Sequence, residues 1–126
     1  MRLLVTGGCG FIGSNFIRYI LRKYPEYKIV NLDKLTYAGN LNNLKDVEKN
    51  PNYSFVKGDV CNSNTVERVM KNVDYVVHFA AETHVDRSII DAGIFVKTDV
   101  IGTYVLLEKV KKHNIKKFVY ISTDEV

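Results

Sequence analysis

The feature of this sequence that most restricts its fold is a glycine-rich turn directly after a short apolar segment near the N-terminus. Residues 3–5 (Leu-Leu-Val) have the composition of a buried strand. Three glycines then follow at intervals of three residues: Gly7, Gly10 and Gly13. In this pattern the first glycine permits a tight turn, the second leaves room for phosphates beside the backbone, and the third lets a helix pack closely on the sheet. An amphipathic stretch at residues 14–24 comes next, and the N-terminus of a helix attracts anions. The turn therefore predicts a site for a dinucleotide pyrophosphate, in preference to a glycine-rich turn without a ligand.

A second candidate binding residue, Asp33, follows the apolar residues 29–32 and lies 20 residues after Gly13. A carboxylate at this distance is placed to accept hydrogen bonds from the hydroxyl groups of an adenine ribose. Because a carboxylate repels a 2′-phosphate, Asp33 favours NAD over NADP, and the charge of Lys34 beside it softens that preference. The alternative is that Asp33 is only a surface turn residue, which its position at the end of a predicted strand argues against.

Apolar segments with strand character alternate along the chain with segments of helical periodicity. This alternation predicts right-handed βαβ units and a parallel sheet with helices on its faces. We therefore expect an α/β fold, a doubly wound parallel sheet of the Rossmann type with five strands, incomplete at its C-terminus. The predicted strands are residues 2–6, 28–32, 53–57, 75–79 and 117–122, and the predicted helices are residues 14–24, 41–49, 63–71 and 89–113.

Every predicted strand ends in polar or charged residues. In an open parallel sheet, ligands bind outside the carboxyl ends of the strands. The five ends therefore predict one shared crevice, formed by Thr6 and Gly7, Asp33, Gly58 and Asp59, residues 80–83, and residues 122–125.

Composition limits the class of protein. With 126 residues, 46% apolar and 25% charged, the chain has the size of one globular domain or part of one. The net charge of +4 comes largely from lysines near the end of the last predicted helix, where they complement the helix dipole. Without interleaved aromatic residues they do not indicate nucleic-acid binding. Cys9 and Cys61 have no metal-binding spacing, and no apolar run is long enough to cross a bilayer, so we expect a cytoplasmic protein without a metal.

Together, these motifs resemble those of the extended short-chain dehydrogenase/reductase family, and within it the nucleotide-sugar 4,6-dehydratases. The glycine turn at residues 6–13 is shared by many activities of that family. Three further segments are more specific to the dehydratases, and the resemblance covers the whole chain. They are residues 33–40 (DKLTYAGN), 80–88 (AAETHVDRS) and 122–126 (STDEV).

The resemblance implies NAD as cofactor, a nucleotide sugar (dTDP-glucose) as substrate, and a role for individual residues. Thr83 and Thr123 face the sugar, Asp124 resembles the general acid of an elimination, and Glu125 resembles its general base. The implied cofactor contacts are Gly7, Gly10, Phe11, Ile12, Gly13, Asp33, Lys34, Leu35, Thr36, Asp59, Val60, Phe79, Ala80, Ala81, Glu82, Thr83 and Thr98.

The implied reaction is redox-neutral: hydride leaves C4 of glucose, a proton leaves C5 as the C6 hydroxyl departs, and hydride returns to C6. The elimination needs an acid and a base on one substrate. Adjacent carboxylates such as Asp124 and Glu125 suit it, because repulsion and partial burial separate their protonation states. Adjacency alone favours a solvated turn, and it is the resemblance that reverses this interpretation.

The sequence departs from the family pattern at three positions. Cys9 stands where alanine is common, Thr83 replaces serine, and Asp99 replaces asparagine. The family's Tyr-x-x-x-Lys pair and its C-terminal substrate domain lie beyond Val126. We therefore expect residues 1–126 to be an NAD-binding Rossmann domain that does not turn over a sugar nucleotide alone, and the resemblance implies a homodimer for the full-length enzyme.

Other interpretations stay open. A UDP-glucose 4,6-dehydratase is the nearest, because selectivity for the nucleotide base lies beyond Val126. A UDP-sugar epimerase or decarboxylase fits less well, since these enzymes typically lack the acidic pair Asp124 and Glu125. A non-catalytic NAD-binding module is the alternative from another class, and it has no need of an acidic pair.

Overall fold

A computed structural model describes residues 1–35, 41–79 and 101–121 of the chain. These residues form five strands, three α-helices and one short 3-10 helix. The strands are β1 (Arg2–Thr6), β2 (Lys28–Asp33), β3 (Tyr53–Lys57), β4 (Tyr75–His78) and β5 (Lys117–Tyr120). The α-helices are α1 (Phe11–Lys23), α2 (Ser63–Val69) and α3 (Thr103–Lys112), and the 3-10 helix is Leu41–Leu44.

All five strands are parallel and lie in one sheet, in the order β3-β2-β1-β4-β5. The predicted Rossmann-type sheet is thus confirmed. Thr6, at the end of β1, pairs with Leu32 of β2 on one side and with His78 of β4 on the other. The chain runs from β1 through β2 to β3 on one side of the sheet and from β4 to β5 on the other, so the crevice for a ligand lies at the end of β1, where the strand order reverses.

The sheet is buried on both faces. Successive side chains of a strand point to opposite faces, so Leu3 and Val5 pack under α1 with Ile17, while Leu4 packs with Leu106 of α3 on the other face. Burial on both faces explains why the central strands read as continuous apolar runs.

The predicted helix at residues 41–49 is wrong. Only the 3-10 helix Leu41–Leu44 forms, and the chain continues in turns whose N–H groups bind the carbonyl three residues earlier, as from Val47 to Leu44 and from Asn50 to Val47. Asparagine favours such turns over a helix because its side chain competes for backbone groups. The side chain of Asn43 instead donates to the carbonyl of Cys9 at 2.8 Å.

Several predicted boundaries shift by a few residues. Helix α1 begins at Phe11 and not at residue 14, because Gly10 occupies the N-cap position. Strand β2 extends to Asp33, which pairs with Lys57 of β3. Strand β4 ends at His78, helix α2 ends at Val69 and strand β5 ends at Tyr120, each one or two residues before the predicted end. Residues 89–100 of the last predicted helix lie outside the described residues. Within the described part, no helix is both long and apolar enough to span a membrane.

Candidate dinucleotide-binding site

The glycine turn reverses the chain from β1 into α1. Gly7 has a φ of 73°, a left-handed conformation that favours glycine, and its N–H donates to the carbonyl of Leu32 at 2.9 Å. The N–H of Gly10 then donates to the carbonyl of Gly7 at 3.3 Å. The tight turn predicted at Gly7 is therefore present at the end of the central strand.

The turn and the first part of α1 are packed too closely for side chains at two positions. A Cβ at Gly13 would lie 2.6 Å from the carbonyl oxygen of Gly7, which explains why the helix needs glycine there. A Cβ at Gly8 would lie 2.4 Å from Oδ1 of Asn31 and 2.5 Å from Cδ1 of Ile17. The close packing predicted for Gly13 is confirmed, whereas the sequence analysis assigned no role to Gly8.

The N-terminus of α1 opens outward beside this turn. The side chains of Phe11 and Ile12 are 79% and 59% exposed. Within the described residues, no group accepts a hydrogen bond from the N–H of Phe11, Ile12 or Gly13, as is usual for the first turn of a helix. Three N–H groups without an acceptor among the described residues, at the positive end of the helix dipole, suit an anion such as a pyrophosphate.

Asp33 lies at the end of β2, next to the turn, and its side chain is 7% exposed. Its Oδ2 accepts from the N–H of Cys9 at 2.8 Å, and its Oδ1 accepts from the N–H of Leu35 at 2.8 Å. Each carboxylate oxygen keeps a second lone pair for a ribose hydroxyl. Leu35 has a φ of 60°, a conformation that leucine rarely adopts, so Asp33 stabilises a strained backbone beside the site.

Two further predicted site residues are brought together. Nζ of Lys34 lies 3.4 Å from Oδ2 of Asp59, and the N–H of Cys61 donates to Oδ1 of Asp59 at 2.9 Å. Burial acts to raise the pKa of Asp59, but the Cys61 hydrogen bond and the Lys34 charge outweigh it, so that the pKa lies below its ordinary value. The negative charge of Asp59 therefore offsets part of the positive charge of Lys34 beside the predicted ribose site.

Val60 and Phe79 take more interior positions than the other predicted contacts. The side chain of Val60 is buried in the apolar cluster under α2 and α3, so only its backbone is available to an adenine. Phe79 is half-buried, and its ring centroid lies 5.5 Å from that of Phe16 in α1. The remaining predicted site residues lie outside the described residues: Thr36, Ala80, Ala81, Glu82, Thr83, Thr98, Thr123, Asp124 and Glu125.

His78, at the end of β4, is a buried residue next to the turn that the sequence analysis did not single out. It is fully buried; Nδ1 lies 2.5 Å from Oγ1 of Thr6 and Nε2 lies 3.4 Å from Oγ1 of Thr103, both within hydrogen-bond distance. The ring of Tyr120 meets the imidazole edge-on, 5.0 Å away. Burial lowers the pKa of His78 to about 4, so the ring is neutral near pH 7. A histidine that follows the apolar residues of a strand gives no local sequence signal for these contacts, because its partners lie far away in the chain.

Cys9 lies inside the turn, where the sequence departs from the family pattern. It is fully buried, and burial together with the Asp33 charge raises the pKa of its thiol to about 12. A thiol that stays protonated at neutral pH is a poor nucleophile and a poor metal ligand. Among the described residues there is no group of three side chains suited to a metal ion.

A parallel sheet whose first strand runs through a glycine turn into an outward-facing helix N-terminus, with a carboxylate at the end of the second strand, defines a dinucleotide-binding Rossmann domain. The family model described as GDP-mannose 4,6 dehydratase matches residues 4–126, and the chain belongs to this family.

Known proteins of this family resemble the chain over its whole length. The dTDP-glucose 4,6-dehydratase of Streptomyces niveus is 52% identical over 100% of the chain and 39% of its own length. A crystal structure of the dTDP-glucose 4,6-dehydratase of Streptomyces venezuelae, with NAD bound, matches with a TM-score of 0.94 and 48% identity, covering 100% of this chain and 40% of that one. The UDP-glucose 4-epimerase of Thermotoga maritima matches less closely, with a TM-score of 0.86 and 34% identity over 98% of this chain and 38% of that one. The chain thus spans about two fifths of the length of these relatives.

Proposed function

We propose that residues 1–126 are the NAD-binding part of a dTDP-glucose 4,6-dehydratase, an enzyme that converts dTDP-glucose to dTDP-4-keto-6-deoxyglucose in the synthesis of deoxysugars such as rhamnose. The observation that carries the proposal is the glycine turn before α1, where the N–H of Cys9 donates to the buried carboxylate of Asp33 and the first N–H groups of the helix have no acceptor among the described residues. The greater identity to dehydratases than to the epimerase supports a dehydratase over an epimerase.

The described residues fit NAD. The N–H groups of Phe11 and Ile12 would bind the pyrophosphate, and the remaining lone pairs of Asp33 would accept from the adenine ribose. Lys34 and Asp59 form the adjoining wall of the adenosine site. When bound, NAD supplies a hydride acceptor that is regenerated at the end of the reaction.

We assign the elimination itself to residues 123–125, which follow β5 in the sequence. In this proposal Thr123 donates to the C4 oxygen of the sugar, Glu125 removes the C5 proton, and Asp124 protonates the departing C6 hydroxyl. Thr83 contacts the same sugar. The acid and base roles each contribute about 10²–10⁴-fold to the rate of the step that they serve.

The exposed face of α3 supports assembly of the enzyme as a homodimer. Tyr104 and Leu107 of α3, and Ile101 two residues before the helix, recur at helical spacing and are 61%, 49% and 46% exposed. Three large apolar side chains on one helix face form a surface that association would cover. For compartment we propose the cytoplasm, because Cys9 and Cys61 are both thiols and a reducing environment keeps them so.

Titration of residues 1–126 with NAD and with NADP, by isothermal calorimetry, tests the cofactor assignment. We expect saturable NAD binding that is tighter than NADP binding, because the Asp33 carboxylate repels a 2′-phosphate. If neither nucleotide binds, the proposal fails.

A chimera tests the activity. Residues 1–126 replace the corresponding segment of the Streptomyces niveus dehydratase, and the chimera is assayed with dTDP-glucose. We expect dehydration of dTDP-glucose, and a loss of about 10²–10⁴-fold in elimination for Asp124→Asn and for Glu125→Gln, with less effect on hydride removal from C4. A chimera that binds NAD but is inactive would favour a non-catalytic module.

A further inference from the structure

Asn31 holds the glycine turn from inside the sheet. It lies within β2, fully buried, and its Oδ1 accepts from the N–H of Gly8 at 3.0 Å. Its Nδ2 donates to the hydroxyl of Tyr53 at 3.1 Å and to Sγ of Cys9 at 3.4 Å. Every polar atom of this buried amide therefore has a partner, and two of the three partners are residues of the turn.

Asn43 holds the same turn from the segment between β2 and β3. It is half-buried on the 3-10 helix Leu41–Leu44, and its Nδ2 donates to the carbonyl of Cys9 at 2.8 Å. The N–H of Cys9 donates to Oδ2 of Asp33 at 2.8 Å. Cys9 is thus bound at its N–H by Asp33 and at its carbonyl by Asn43.

These contacts fix the backbone immediately before the outward N–H groups of α1. A glycine-rich turn has many accessible conformations, and ordering it on ligand binding costs affinity. A turn that is ordered in advance avoids that cost. Gly8 and Cys9 are followed directly by Gly10 and the first turn of α1, so their placement sets where the N–H groups of Phe11 and Ile12 point.

We propose that Asn31 and Asn43 are positioning residues for the dinucleotide turn: without touching the cofactor, they hold the turn in the conformation that receives a pyrophosphate. The inference rests on the proposed NAD binding. Asp33 already had a predicted role in ribose recognition, whereas these two asparagines had none.

The affinity test uses Asn43→Ala and, as a matched control, Asn52→Ala in the 126-residue chain. Nδ2 of Asn52 also donates to a backbone carbonyl, that of Pro25, at 2.6 Å, but it precedes β3 at the opposite end of the sheet. We expect Asn43→Ala to weaken NAD binding about 3- to 10-fold, the worth of one net hydrogen bond, and Asn52→Ala to leave the affinity within about twofold of wild type. Equal NAD affinity in wild type and Asn43→Ala, or an equal loss in both variants, overturns the proposal.

A ligand-free measurement separates this proposal from the proposed function. Loss of the hydrogen bond from Asn43 should move the carbonyl carbon resonance of Cys9 upfield and shift the amide resonances of Gly10 and Phe11, while Asn52→Ala leaves them in place. If wild type fails to bind NAD, the proposed function fails and these resonances alone decide whether Asn43 orders the turn. Unchanged resonances in Asn43→Ala overturn the positioning role. Asn31→Leu is a second variant, which removes the acceptor of the Gly8 N–H. The chemical shift of the Gly8 amide proton measures its effect on the turn.

Discussion

Acidification should destabilise this domain through His78 before it affects the carboxylates. The imidazole is fully buried between Thr6, Thr103 and Tyr120, and burial lowers its pKa from 6.5 to about 4. Between these two values the unfolded chain binds a proton that the folded chain does not. Stability therefore falls as the pH falls through this window, and it is restored as the pH rises above 6.5.

The size of the effect follows from the two pKa values of His78. Integrating the proton-linkage relation from pH 7 to pH 4.5 gives a loss of about 2.5 kcal/mol, a large part of the roughly 5–15 kcal/mol that stabilises a typical domain. The Lys112 and His113 side chains lower the pKa of Glu67 from 4.5 to about 2, so the stabilisation from Glu67 is lost only below about pH 4.5. The pKa values of Asp59 and Asp74 are also lowered, and the stabilisation from these two carboxylates is lost below about pH 3.8.

Urea unfolding at pH 7 and pH 4.5, followed by circular dichroism, measures this loss in wild type and in His78→Gln. Glutamine does not titrate, so the free energy of unfolding of the variant should change by about 2.5 kcal/mol less between the two pH values. Equal changes in both proteins would refute the reasoning. So would an NMR titration in which the His78 ring protonates in the folded chain near pH 6.

Three further predictions use the residues of the glycine turn. Asp33→Asn should weaken NAD binding and narrow the gap to NADP in a calorimetric titration; unchanged affinity and selectivity would remove Asp33 from the cofactor site. Gly13→Ala should cost about 1–3 kcal/mol in urea unfolding, because its Cβ would lie 2.6 Å from the carbonyl oxygen of Gly7, and a variant as stable as wild type would contradict this. In the native chain at pH 8, Cys61 should react with a thiol reagent while Cys9 does not, since burial and the Asp33 charge raise the pKa of Cys9 to about 12. Rapid reaction of both thiols would show that Cys9 is accessible.

The sequence alone determined the strands, their parallel arrangement and the place of the site. The central strands are continuous apolar runs because both faces of the sheet are buried, and that pattern is visible without coordinates. Gly7 and Gly13 could be assigned because a left-handed φ and a close helix approach each demand glycine. Asp33 was predicted from its spacing to the turn, and its carboxylate accepts from the N–H of Cys9 in that turn.

The partners of these residues were decided only by the tertiary structure. The periodicity at residues 41–49 predicted a helix, but Asn43 bonds to the carbonyl of Cys9, 34 residues away, and the segment forms turns instead. Asn31 and His78 lie within otherwise apolar strands, where a local pattern does not predict which distant residue a polar side chain contacts. Asn31 contacts Gly8, and His78 contacts Thr6. These contacts form because β1 pairs in parallel with β2 on one side and with β4 on the other. Local periodicity reports which residues are buried, whereas hydrogen bonds between distant segments depend on how the strands are ordered, and this is why only the folded chain revealed them.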